Sequence, residues 1–197
     1  MKIPPRIFPV VGLLALLLGA CEFNMPSMPN LNPFASKVPP PACPRVAVLK
    51  DADRITRFAP GPGRDLTDIL LNAEIVSFVG DCEYEGDAPN FTSVKVSIRV
   101  GIEMTRGPAN RNRDVNLKYF VRIPQFYPSP SGNAVMTVKT RFPANRDTIR
   151  YGDQPVDVEI PLHAGKTGQD YQVFLGFVLT PAELKYNREN DRDALGG

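Results

Sequence analysis

The run Thr92–Met104, TSVKVSIRVGIEM, constrains the fold more than any other stretch of this 197-residue chain. Val94, Val96, Ile98, Val100, Ile102 and Met104 alternate with Ser93, Lys95, Ser97, Arg99, Gly101 and Glu103. A period of two sustained this long predicts a long strand with one face on a core and the other in water. DVNLKYFVRI repeats the pattern, with Val115, Leu117, Tyr119, Val121 and Ile123 inward. The polar segment TRGPANRNRD between the two reads as a hairpin loop.

Other segments follow the same rule. AVMTVKTRF sets Met136, Val138 and Phe142 on one face, and PVDVEIPL does so with Val156, Val158, Ile160 and Leu162. RVAVLK and AEIVSFVGDCEY add two strands, and YQVFLGFVL is apolar on both faces. DADRITRFAPGPGRDLTD is irregular, with a short edge strand at Arg54–Phe58. About seven strands between Gly, Pro, Asn and Asp turns predict an all-β domain. The expected architecture is an antiparallel immunoglobulin-like β-sandwich over 43–187, with an eight-stranded closed barrel as the alternative. One short C-terminal helix is signalled by Thr180, Pro181, Ala182 and Glu183, a capping box with Pro at the first helical position. It should run to about Asn187 and set Leu184 back on the sandwich, leaving 188–197 as a disordered tail.

The N-terminus has a different character. Lys2 and Arg6 precede an apolar run, Ile7–Ala20, shorter than the roughly 20 residues a spanning helix needs. This is the form of a secretory signal peptide, residues 1–20. Its last residues, Leu18, Gly19 and Ala20 before Cys21, resemble the lipobox of bacterial lipoproteins. The resemblance implies cleavage before Cys21, a diacylglycerol on its thiol and usually an acylated amino group, enough lipid for a firm anchor. Glu22 stands where the inner-membrane retention signal has Asp, which implies the outer membrane, with the domain facing the periplasm. Residues 21–42 then form a Pro- and Asn-rich tether with almost no charge.

Without Lys2 and Arg6 the 23 basic and 21 acidic residues of the chain balance. No concentrated basic field marks a nucleic-acid partner. In an oxidising compartment the remaining cysteines, Cys43 and Cys82, are expected to pair. That bridge would contribute about 4 kcal/mol by closing a loop of roughly 40 residues.

The motifs for catalysis are thin. His163 is the sole histidine, too few for a copper site of sandwich type or for a two-histidine zinc motif. No Gly-x-Ser-x-Gly elbow presents a nucleophile to it. GKTG at 165–168 lacks the first glycine of a phosphate loop, because Ile160 stands there. Asp51 and Asp53 are two carboxylates without the rest of a calcium loop. No metal or other cofactor is expected. Arg106, Arg111 and Arg113 crowd one loop and are the candidate anion-binding residues. On the doubly apolar strand Phe174 and Val178 point outward, as Phe120 does on its own strand. That face needs a cover, either the C-terminal helix or a partner protein.

At GDCEYEG, RGPANRNRDVNLKYFVRI and FLGFVLTPAELKYNR the chain is similar to uncharacterised lipoproteins of alphaproteobacteria, over most of Cys43–Arg188. The resemblance implies fold and localisation and brings no catalytic residues. The expected role is a non-enzymatic accessory or assembly subunit of an envelope complex. A module binding glycan, peptidoglycan or lipid is the alternative, and a hydrolase built on His163 a third reading.

Overall fold

The computed structural model describes residues 39–194, with side chains to Asp191. The signal peptide, Cys21 and the tether up to Val38 lie outside the described residues.

Among the described residues nine strands form two sheets. They are β1 (Arg45–Val48), β2 (Arg54–Phe58), β3 (Ile69–Asp87), β4 (Asn90–Arg106), β5 (Asp114–Arg122), β6 (Asn133–Arg141), β7 (Thr148–Gly152), β8 (Val156–Pro161) and β9 (Gln172–Phe177). Sheet I has the order β1-β9-β5-β6 and sheet II the order β2-β3-β4-β7, with β8 also on β4. The two sheets stay separate, which replaces the closed-barrel alternative. Among the described residues all pairs are antiparallel except β1 with β9, which run side by side in one direction.

The alternation places the core where the sequence points. Val94, Ile98, Val100, Ile102 and Met104 of β4 are fully buried, and Val96 nearly so. Val115, Leu117, Tyr119 and Val121 of β5 face them from sheet I, with Val138, Phe142, Val173 and Leu175. Each such aliphatic side chain contributes about 1.5–3 kcal/mol on leaving water. Tyr119 is inside too, and its hydroxyl donates to Asp153 Oδ2 at 2.7 Å in the β7–β8 connection. Burial and that carboxylate push the phenol well above its usual range.

Two local expectations need correction. The segment after β4 is not a hairpin loop, because β4 belongs to sheet II and β5 to sheet I. It is a crossing between sheets, held by Asn110, whose buried side chain accepts from Arg113 N (2.8 Å) and donates to Asp114 O (3.0 Å). The helix α1 (Pro181–Ala194) continues well past Asn187, so the tail does not begin at Arg188. The extra turns are held by Arg188 on Asp51 (2.7 Å) and by Asp191 on Arg54, partners far away in the sequence.

The capping box is formed as expected: Thr180 Oγ1 accepts from Glu183 N (3.2 Å), and Glu183 Oε2 from Thr180 N (2.8 Å). Cys43 and Cys82 are joined, tying the chain just before β1 to the last third of β3 and so one sheet to the other.

Candidate functional site

The outer face of sheet I is the first surface to consider. Phe120 lies opposite Gly176 across β5 and β9, and a side chain on Gly176 would meet its ring at 2.7 Å and Ala52 at 2.9 Å. The segment Leu49–Ala52, with a single 3-10 turn at Lys50–Ala52, crosses over this point. Phe120 is therefore 6% exposed, and Arg122 stacks on its ring at 4.5 Å. The cover comes from the chain itself, so Phe120 is not open to a partner, as the docking expectation required. Phe174 is half-buried and Val178 remains exposed.

Between this cover and α1 runs a groove of about 470 Å³, lined by Leu49, Phe120, Arg122, Leu179, Leu184 and Arg188 among others. Leu184 thus turns back onto the sandwich. Its floor is apolar and cations stand at its rim.

The candidate anion-binding arginines serve another end. Asp147 binds both Arg106 Nε (2.7 Å) and Arg113 Nη2 (2.9 Å), and those guanidinium groups hold its carboxyl below the usual range. Arg113, at a left-handed φ of 66°, also donates to Phe142 O at 3.1 Å. Two of the three arginines anchor the sheet crossing, while Arg111 stays exposed on the loop. They do not converge on one site.

His163 is exposed in the loop after β8. In the 165–168 segment Gly168 N donates to Tyr84 Oη at 2.9 Å, so this backbone packs on the domain. Asp51 is taken by Arg188, and Asp53 sits beside Arg54 at 3.4 Å. Burial raises the Asp53 pKa against the pull of Arg54, with Asp191 and Glu74 adding repulsion. No group of three or more metal-ligating side chains occurs among the described residues.

The surface that sequence reasoning missed is on β3. Opposite β4 the register slips between Ile75 and Ser77, leaving Val76 as an extra residue. Beyond that bulge Phe78 lies opposite inward Val100, so it takes the inward side, yet it is 39% exposed. Val76 is 43% and Val79 72% exposed. The cause is the shape of the two sheets: β2 pairs with β3 only over Ile69–Glu74, and sheet I ends at β1. From Val76 onward one edge of β3 has no strand beside it among the described residues. The signal in the sequence was the doubly apolar IVSFV, masked by the bulge that breaks its alternation.

Comparison of the chain with protein-family models, with curated proteins and with solved structures gives no match.

Proposed function

We propose that the chain is a lipid-anchored, non-enzymatic assembly subunit of the bacterial envelope, facing the periplasm from the outer membrane. The observation that carries the docking role is the free edge of β3 with Val76, Phe78 and Val79 in water. A long exposed apolar edge is a template for another strand, and proteins that leave one open commonly use it. The anchor rests on the Leu18–Cys21 motif, whose fatty chains would hold the domain at a surface. An immunoglobulin-like relationship is supported by the nine strands of the described residues in two sheets and by crossings between sheets after β1, β4, β6 and β8. The disulfide departs from the antibody pattern, since Cys43 precedes the first strand.

The test is crosslinking of the tagged chain in its native envelope, with Val79→Asp in parallel. One recurrent, near-stoichiometric partner that Val79→Asp loses is the expected result. A solitary protein in both samples would sink the proposal. Palmitate labelling that survives Cys21→Ser would remove the anchor.

A second reading is carried by the groove beside α1. Its apolar floor and the Arg122 rim suit an amphipathic anion of the envelope. Saturable binding of a fatty acid, lost in Leu184→Asp with α1 still helical, would favour it over protein docking.

A further inference from the structure

We infer that the free edge of β3 receives the edge strand β6 of a second copy of this chain, so that copies join head to tail. The inference rests on the docking reading only for the choice of edge. Among the described residues β1, β2, β6, β7 and β8 are each paired on one side only, and β6, at nine residues, is the longest of them.

Charge selects the pairing. The outward row of β3 reads Val79, Asp81, Glu83, Glu85, all exposed. The outward row of β6 reads Val135, Thr137, Lys139, Arg141, also exposed. Laid parallel with Val79 beside Val135, the rows put Asp81 by Thr137, Glu83 by Lys139 and Glu85 by Arg141. Cross-strand pairs of opposite sign stabilise a sheet and like charges oppose it. Two β3 edges would set acid against acid, and two β6 edges base against base. Both self-pairings are guarded against by charge, as edges commonly are.

The inner rows fit as well. In this register Phe78 meets Ala134 and Gly80 meets Met136. Gly80 is exposed and offers no side chain, while Met136 is half-buried and long enough to cover that gap. The added strand would close the flank beside Phe78 that β1 is too short to reach. Existing contacts permit the new ones. Arg141 already pairs with Asp114 at 2.7 Å, and Glu85 accepts from Ser93 at 3.2 Å, so each would hold its partner alongside the new contact.

Geometry makes the contact heterologous. β6 ends sheet I at the side opposite β1, whose leading end is tied to β3 through Cys43–Cys82. The two edges therefore lie on opposite flanks, and each joined pair leaves one edge of each kind free. Such contacts grow into chains unless the rotation closes a ring.

The experiment is sedimentation velocity of the full chain carrying Cys21→Ser, in non-ionic detergent. At low salt the mean mass should rise with concentration, and it should fall back in roughly 0.5 M salt, where screening is short-ranged. Glu83→Lys and Lys139→Glu should each weaken association about tenfold, because each turns an attraction into a repulsion at every contact. An equal mixture of the two variants should recover, since the lysine introduced on β3 of one then faces the glutamate introduced on β6 of the other. A wild-type chain that stays monomeric to about 1 mM overturns the inference. So does a mixture that fails to recover, which would point to identical edges pairing. A monomer that still captures a different envelope protein through Val79 overturns this inference and leaves the docking reading standing.

Discussion

The two sheets meet mainly through carbon, whereas the most buried side chains of α1 meet the domain through nitrogen and oxygen. Between the sheets Ile98 and Leu117 belong to one buried apolar cluster, and the attraction has no preferred direction. On α1 the two buried residues, Glu183 and Asn187, are polar and share one helix face with Asp191 at four-residue spacing, while Leu184 and Tyr186 are half-buried beside them, Tyr186 against Phe58. Glu183 Oε1 accepts from Arg57 Nε at 2.9 Å, and Asn187 Nδ2 donates to the carbonyls of Asp51 (3.0 Å) and Arg54 (2.9 Å). Asn187 Oδ1 and Asp191 Oδ2 are buried without a hydrogen-bond partner. A polar interface specifies position and angle but adds little net stability, because each bond made replaces one to water. The core decides whether the chain folds, and the helix contacts decide where one element rests.

Breaking the core should have the largest effect. Ile98→Ala removes a fully buried side chain from mid-β4 and should cost about 4 kcal/mol. Denaturant unfolding followed by two spectroscopic probes should show one earlier, still coincident transition. Cys82→Ser is comparable, at about 4 kcal/mol, since it frees a loop of 39 residues while β3 stays paired with β4. Its signature is a wild-type midpoint that moves to the variant's on adding reductant.

On the polar side, Asn187→Ala should cost about 2 kcal/mol and act locally. Hydrogen exchange should accelerate on α1 and Arg54–Phe58 while the amides of β4 keep their protection. If β4 amides accelerate equally, the helix is part of the core and the contrast fails.

The smallest effect sharpens the contrast by sign. The folded pKa of Asp53 is raised, so its contribution is complete below its ordinary 3.8 and is lost as pH rises through the folded value. Asp147 is lowered, so its contribution is present above 3.8 and is lost as pH falls through the folded value. Acidification should therefore tighten the Asp53 side of α1 while loosening the sheet crossing. Carboxyl carbon shifts of the two residues across pH 2–6, a window of about two units either side of that value, should give midpoints on opposite sides of it. Asp53→Asn should abolish the first trend and leave the second.

The same contrast explains what could be read from the residues alone. Apolar periodicity is local, so the inward faces of β4, β5 and β8 were legible, as were the edge strand Arg54–Phe58 and the start of α1 at its capping box. Polar docking is written in pairs, and the partners of Asn187 and Asp191 sit more than 130 positions earlier. Nothing near Arg188 announces that the helix continues. TRGPANRNRD has the composition of any tight connection, and only the pairing of β4 and β5 with other strands makes it a crossing. β7 alternates as well, with Ile149 and Tyr151 half-buried, but five residues are too few for the period to stand out. The surface on β3 was hidden by one inserted residue, Val76, which shifts every later side chain to the other face.

The placement of the disulfide has a mechanical consequence. β1 is held along one side only, by four parallel pairings with β9, and a pull on its leading end would open those one at a time. Tension arriving through the residues before Cys43 does not take that path. It passes through the sulfurs to Cys82, in the last third of the nineteen-residue β3 and paired on to β4. There the load is shared across a long ladder in shear, so the domain can be tugged from its N-terminal side without its first strand being unzipped.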